Sequence, residues 1–210
     1  MFEERKFTMR IIRSQPSSTL RRILSTRIHN VGCFSFSTTS SEAKQKQKQK
    51  QRPLFVAATK QHVGKTTTCL ALLSGLQKRF DTVGYFKPVG QQHVQVDVDE
   101  DDGDNADDDS DGTIRVDKDV VLIKEHFHLD HIDYRYMSPV IIPNGYTKRY
   151  VDGEISTLDQ QREVEEAMEH ISSRSDVTLI EGTGHCAVGS IVGLNNAKVA
   201  NLLGADMILV

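Results

Sequence analysis

Gly64, Lys65 and Thr66 stand in succession at the end of a short polar loop within LFVAATKQHVGKTTTCLALL, residues 54–73. These residue types in this order suit phosphate chemistry. Successive backbone N–H groups can wrap an anion, a helix that starts at the lysine adds positive potential, and the lysine brings a mobile cation. The Thr66 hydroxyl is placed for Mg²⁺. The pattern GxxxxGK[ST] has glycine where this chain has Thr59, yet the preceding apolar run and the following helical spacing are both present. The nucleotide-phosphate candidates are therefore Thr59, His62, Val63, Gly64, Lys65, Thr66 and Thr67.

Two further stretches carry charge at the end of an apolar run. In VGYFKPVG, residues 83–90, the run ends at Lys87 because Pro88 and Gly90 stop it. In DVTLIEGTG, residues 176–184, it ends at Glu181 and passes into a glycine-containing loop. A lysine at such a place can grip an anionic second substrate, and a carboxylate can hold the magnesium shell. Asp117 and Asp119, in VDKDVVLIK, offer either a helix cap or a metal ligand, and the spacing does not choose between them. His126, His128 and His131 lie close together, but no matching Cys/His group elsewhere completes a zinc site. Asp107 to Gly112 imitates a calcium loop only in part, since Lys118 stands where the twelfth-position glutamate belongs.

The elements that must position these groups alternate between strand and helix. Strands are expected at 54–58, from Val83, at 176–181 and at 205–210. Helices are expected at 65–80 and 195–203, and at 157–171, where Leu158, Val164, Ala167, Met168 and Ile171 share a face and Thr157 is the expected cap. The proline-bracketed stretch 137–146 reads as a loop over the site. Strands alternating with helices imply a mainly parallel sheet, whose strand ends share one edge. The expected fold is an α/β, P-loop NTPase-type three-layer sandwich. Because 205–210 would normally feed another βα unit, the sheet is expected to be incomplete at its C-terminus.

At 210 residues one domain is expected. The net charge of −3 gives no reason to expect nucleic acid, and no apolar run has the length of a membrane span. Cys33, Cys69 and Cys186 are widely spaced, against a disulfide scaffold and consistent with a reducing compartment. Residues 1–51 read as a leader and linker: Arg5 to Ser41 is basic, rich in Ser and Thr and free of acids, and 44–51 is KQKQKQKQ. That is the composition of a transit peptide to the mitochondrial matrix or, alternatively, to a plastid. Folded sequence is expected over 52–210, with a disordered acidic insertion at about 94–114.

Together, AATKQHVGKTTT, VGYFKPVGQQ, VDKDVVLIK, MSPVIIPNGYTKRY and DVTLIEGTGHCAVGS resemble the dethiobiotin synthetase-like branch of P-loop proteins, which includes cobyrinic acid a,c-diamide synthases. They also resemble the N-terminal domain of long phosphate acetyltransferases. The resemblance covers 54–210 apart from the acidic insertion. It implies ATP and Mg²⁺ as cofactors, with Lys65 and Thr66 at the phosphates and metal, and Lys87 on a substrate carbamate. Asp119 and Glu181 would be the two magnesium carboxylates. Lys65 and Lys87 are then the candidate catalytic residues, and Thr66, Asp119 and Glu181 the metal set. Ala58, Lys60 and Gln61 depart from that family, which has glycine, an acid and threonine there. Lys60 falls where partitioning and septum-site ATPases carry a lysine that reaches across a dimer, which leaves room for a homodimer. Two activities follow from the resemblance. One is an ATP-dependent ligase-like enzyme that phosphorylates a carboxylate or carbamate; the other is a nucleotide-binding regulatory module without turnover.

Overall fold

The computed structural model describes residues 10–12, 52–97, 112–184 and 186–210. In chain order the elements are β1 (Arg10–Ile12), β2 (Leu54–Ala57), α1 (Lys65–Leu76), β3 (Val83–Phe86), β4 (Val89–Gly90), β5 (His93–Asp97), β6 (Thr113–Asp117), α2 (Lys118–Phe127), α3 (Tyr134–Met137), β7 (Val140–Ile141), α4 (Tyr146–Val151), α5 (Thr157–Ser173), β8 (Val177–Glu181), α6 (Cys186–Ile191), α7 (Asn196–Leu202) and β9 (Asp206–Leu209).

The main sheet has the order β1-β9-β2-β8-β3. Within it β9, β2, β8 and β3 run parallel, and β1 lies antiparallel along β9. Parallel strands covered on both faces need apolar side chains on both, so LFVA, VGYF and VTLIE read as near-continuous apolar runs. Consecutive residues of a strand point to opposite faces. A side chain on Gly84 would meet Ile171 of α5, whereas Tyr85 reaches Glu181, which in turn meets Thr66 of α1. Helices α1 and α5 therefore cover opposite faces, and the fold is the expected α/β three-layer sandwich with a mainly parallel sheet.

Apolar spacing explains α5: Val164, Ala167, Met168 and Ile171 are all buried, though Leu158, expected on the same face, is exposed in the first turn, and a fully buried Val or Ile contributes about 1.5–3 kcal/mol. Its cap is Ser156 rather than the expected Thr157. Ser156 Oγ accepts the Leu158 amide at 3.2 Å, while the Thr157 hydroxyl is taken by Tyr150 OH at 2.7 Å. Helix α1 stops at Leu76, short of Phe80, where the Arg79 amide reaches the Leu76 carbonyl three residues back and tightens the last turn.

Two small sheets lie outside the main one. The stretch expected as a loop over the site contributes β7, which pairs in parallel with β4 through Val89↔Val140 and Gly90↔Ile141. Strands β5 and β6 form an antiparallel hairpin from His93↔Asp117 to Asp97↔Thr113. The hairpin takes in 94–97 and 113–114 from the ends of the expected acidic insertion. Residues 98–111 lie outside the described residues, as does the leader and linker apart from β1. Among the described residues no helix is long and apolar enough to cross a membrane.

Candidate functional site

Because β2, β3 and β8 are parallel and in register, their C-terminal ends arrive together. Val56 lies beside Glu181, and Phe86 beside Ile180, which brings Lys87 level with Glu181. The loop after β2 turns through His62 and Gly64, both in the left-handed region, at φ 57° and φ 95°. Glycine adopts that conformation without strain, and Gly64 serves as the N-cap of α1 without any side-chain cap. The first amide claimed inside the helix is that of Thr68, on the Gly64 carbonyl at 2.8 Å. The earlier first-turn N–H groups are the ones a helix leaves for an external acceptor. Lys65 is buried, and its Nζ lies 3.8 Å from the position a Cβ on Gly184 would take, so it reaches across to the loop after β8.

Glu181 is buried and bridges two elements. Its Oε1 accepts the Thr66 hydroxyl and its Oε2 accepts the Tyr85 hydroxyl, each at 2.9 Å. Burial, reinforced by Glu181, pushes the Tyr85 phenol well above its ordinary pKa and does the same to the Cys69 thiol on α1. Both are therefore neutral at physiological pH. Behind this corner the chain is tightly packed. A Cβ on Gly182 would stand 2.6 Å from the Phe55 ring and 2.7 Å from Asn196 Oδ1, which itself accepts the Thr183 amide at 2.9 Å.

Lys87 is buried between two carboxylates. It donates to Asp117 Oδ1 at 2.7 Å and also pairs with Asp119 Oδ2. Burial pulls its ammonium pKa down, but Asp117, Glu181 and Asp119 together outweigh burial and hold it above the ordinary lysine value. Lys87 is thus a fixed cation. Asp117 is the N-cap of α2: its Oδ1 accepts the Asp119 amide at 3.0 Å. That resolves the choice the spacing left open, with Asp117 as the cap and Asp119 as the more exposed carboxylate at the cleft.

All of this opens into one cleft of about 430 Å³. Of the residues expected from sequence, it is lined by His62, Gly64, Lys65, Thr66, Thr67, Lys87, Asp119 and Glu181. Thr59 and Val63 belong to the same loop but not to the lining. Sequence reasoning passed over Tyr85, which looks like core in an apolar strand, and left Asp117 undecided. Gln61, noted only as a departure from the family, also lines the cleft.

Among curated proteins none matches this chain. A family model does, over residues 52–210, and it describes an AAA domain, AAA_26. The matched span contains the whole cleft and every strand of the main sheet except β1. By that match, and with a phosphate-type loop at the edge of a parallel sheet, this chain belongs to the AAA_26 family of P-loop nucleotide-binding domains, which includes dethiobiotin synthetase-like members.

Proposed function

We propose that the protein binds ATP with Mg²⁺ and activates a small carboxylate or carbamate by phosphorylation, as a dethiobiotin synthetase-like ligase does. The observation that carries this reading is the position of Lys87, a buried cation at the same cleft as Lys65, Thr66 and Glu181. A second buried cation at the cleft, in addition to Lys65, suits a grip on a second anion beside the nucleotide.

The donor set fits the cofactors. Magnesium takes oxygen ligands, keeps several waters and is bound through one or two carboxylates. Thr66, Asp119 and Glu181 supply such oxygens, and among the described residues no cluster of three His, Cys, Asp or Glu side chains offers a rival metal site. Bound ATP supplies the phosphoryl group. The protein's part is to position and to neutralise charge. The uncapped start of α1 and Lys65 take the phosphates, Glu181 and Asp119 hold the metal shell, and Lys87 orients the acceptor oxyanion.

A second reading has one observation in its favour. Gln61 lines the cleft where dethiobiotin synthetases have a threonine near the substrate, which favours a nucleotide-binding module like the N-terminal domain of long phosphate acetyltransferases. Calorimetry with Mg·ATP, followed by phosphate release across a panel of carboxylates and carbamates, separates the two. Turnover on any member supports the ligase; binding without turnover leaves the module. The basic, acid-free composition of residues 5–41 supports delivery to the mitochondrial matrix, with a plastid as the other destination.

A further inference from the structure

The Lys87 side chain is held by two aspartates whose surroundings differ. The Asp117 side chain is 2% exposed and that of Asp119 19%. Both oxygens of Asp117 are occupied. Oδ1 accepts Lys87 Nζ and the Asp119 amide, and Oδ2 accepts the Gln91 amide at 3.0 Å and the Gln92 amide at 3.4 Å. Those donors come from the end of β3, the turn after β4 and the first turn of α2. The chain leaves space for this arrangement, since a Cβ on Gly90 would stand 2.9 Å from Asp117 Cβ and 3.0 Å from Oδ2. With its oxygens committed to donors, Asp117 has little capacity left for a cation from the cleft. Among the described residues, Asp119 has its contact with Lys87 to exchange.

We propose that Asp117 is the positioning residue for Lys87: it is the permanent partner that keeps the ammonium aimed into the cleft, while Asp119 is the exchangeable one. This rests on reading Lys87 as the grip for an anionic substrate. An ammonium has three N–H donors. In the structure two of them meet carboxylates. When Asp119 turns to another partner, Asp117 still fixes the flexible four-carbon stem, and two N–H groups face a planar oxyanion such as a carboxylate or carbamate.

Proton–nitrogen NMR of lysine ammonium groups tests the assignment, because a caged ammonium exchanges slowly with water and gives a signal that a solvated one does not. The Lys87 signal, identified by its loss in Lys87→Met, is expected in the unmutated protein and in Asp119→Asn. In Asp117→Asn it should fall about fivefold or more, with the backbone amide spectrum of the rest of the domain unchanged. A signal that survives in Asp117→Asn and vanishes in Asp119→Asn overturns the proposal. Should Asp117→Asn fail to fold, the unmutated protein titrated with Mg·ATP decides: the signal must persist, and its loss overturns the proposal. Calorimetry on the same sample reports nucleotide binding separately. If no ATP binds, the proposed function fails, while the Asp119→Asn spectrum still decides the role of Asp117.

Discussion

The Thr66 hydroxyl donates to Glu181 Oε1 at 2.9 Å, joining residues 115 apart in the chain. One hydrogen bond thereby ties the first turn of α1 to the end of β8 and places a hydroxyl and a carboxylate side by side on the cleft wall. Two oxygen ligands so arranged suit a hard divalent cation.

Glu181→Gln keeps the shape of the side chain and removes its charge. Affinity for Mg·ATP is expected to fall about tenfold or more, and affinity for metal-free ATP to change less than about threefold. Calorimetry with and without Mg²⁺ gives both numbers. An equal loss under the two conditions would remove Glu181 from the metal shell.

For Lys65→Ala, nucleotide affinity should drop roughly tenfold or more, since a charge-assisted contact to phosphate is lost. Lys65 is buried at the start of α1 and reaches across to the Gly184 loop, where its ammonium faces the cleft. Unchanged affinity would move the phosphate site elsewhere.

Stability should decline in alkali, and the sign follows from three buried groups, of which Cys69, its thiol raised by burial from an ordinary 9.0, contributes from the lowest pH. Lys87 has a raised native pKa; its contribution is complete below the ordinary value of 10.5 and is lost as pH rises through the native value. Tyr85, whose phenol is raised by burial and by Glu181, behaves the same way: above pH 10.0 the unfolded chain ionises before the native one does. Thermal midpoints measured from pH 8 to pH 11 should therefore fall from about pH 9 upward, with a shallower slope above pH 10 for Tyr85→Phe. A flat profile in the unmutated protein would contradict the burial of all three groups.

Two glycines should respond oppositely to alanine. At Gly189 a Cβ would stand 2.2 Å from the Leu194 carbonyl oxygen, a backbone atom that cannot step aside, so the loss should be about 3 kcal/mol or more. At Gly75, near the end of α1 with open space around it, alanine should stabilise by about 0.5–1 kcal/mol. Urea unfolding measures both.

Lys87 and Glu181 were legible in the sequence because each ends an apolar run, and in a parallel sheet such ends must meet at one edge. The pairing of Asp117 with Lys87 was not. Two aspartates one residue apart at a helix start look alike until the 90–92 turn closes over one of them. Tyr85 was hidden for another reason: its ring belongs to the core and only its hydroxyl to the site. In HVQVD the alternation of valine with polar residues does signal strand β5, but the run of carboxylates that follows outweighed it. Thr157 and Ser156 are equivalent as caps by composition, and only the competing Tyr150 hydroxyl separates them.

The β5–β6 stem sets Asp97 beside Thr113 and His93 beside Asp117. The stem holds its two strands in register over five residue pairs, so the aspartate at the base keeps its place independently of what joins the far ends. Each doubling of the joining span adds only about 0.6 kcal/mol of closure entropy. Sequence can therefore be lengthened, shortened or exchanged for a tag between 97 and 113 while the grip on Lys87 keeps its aim, which makes this the natural place to graft a reporter onto the protein.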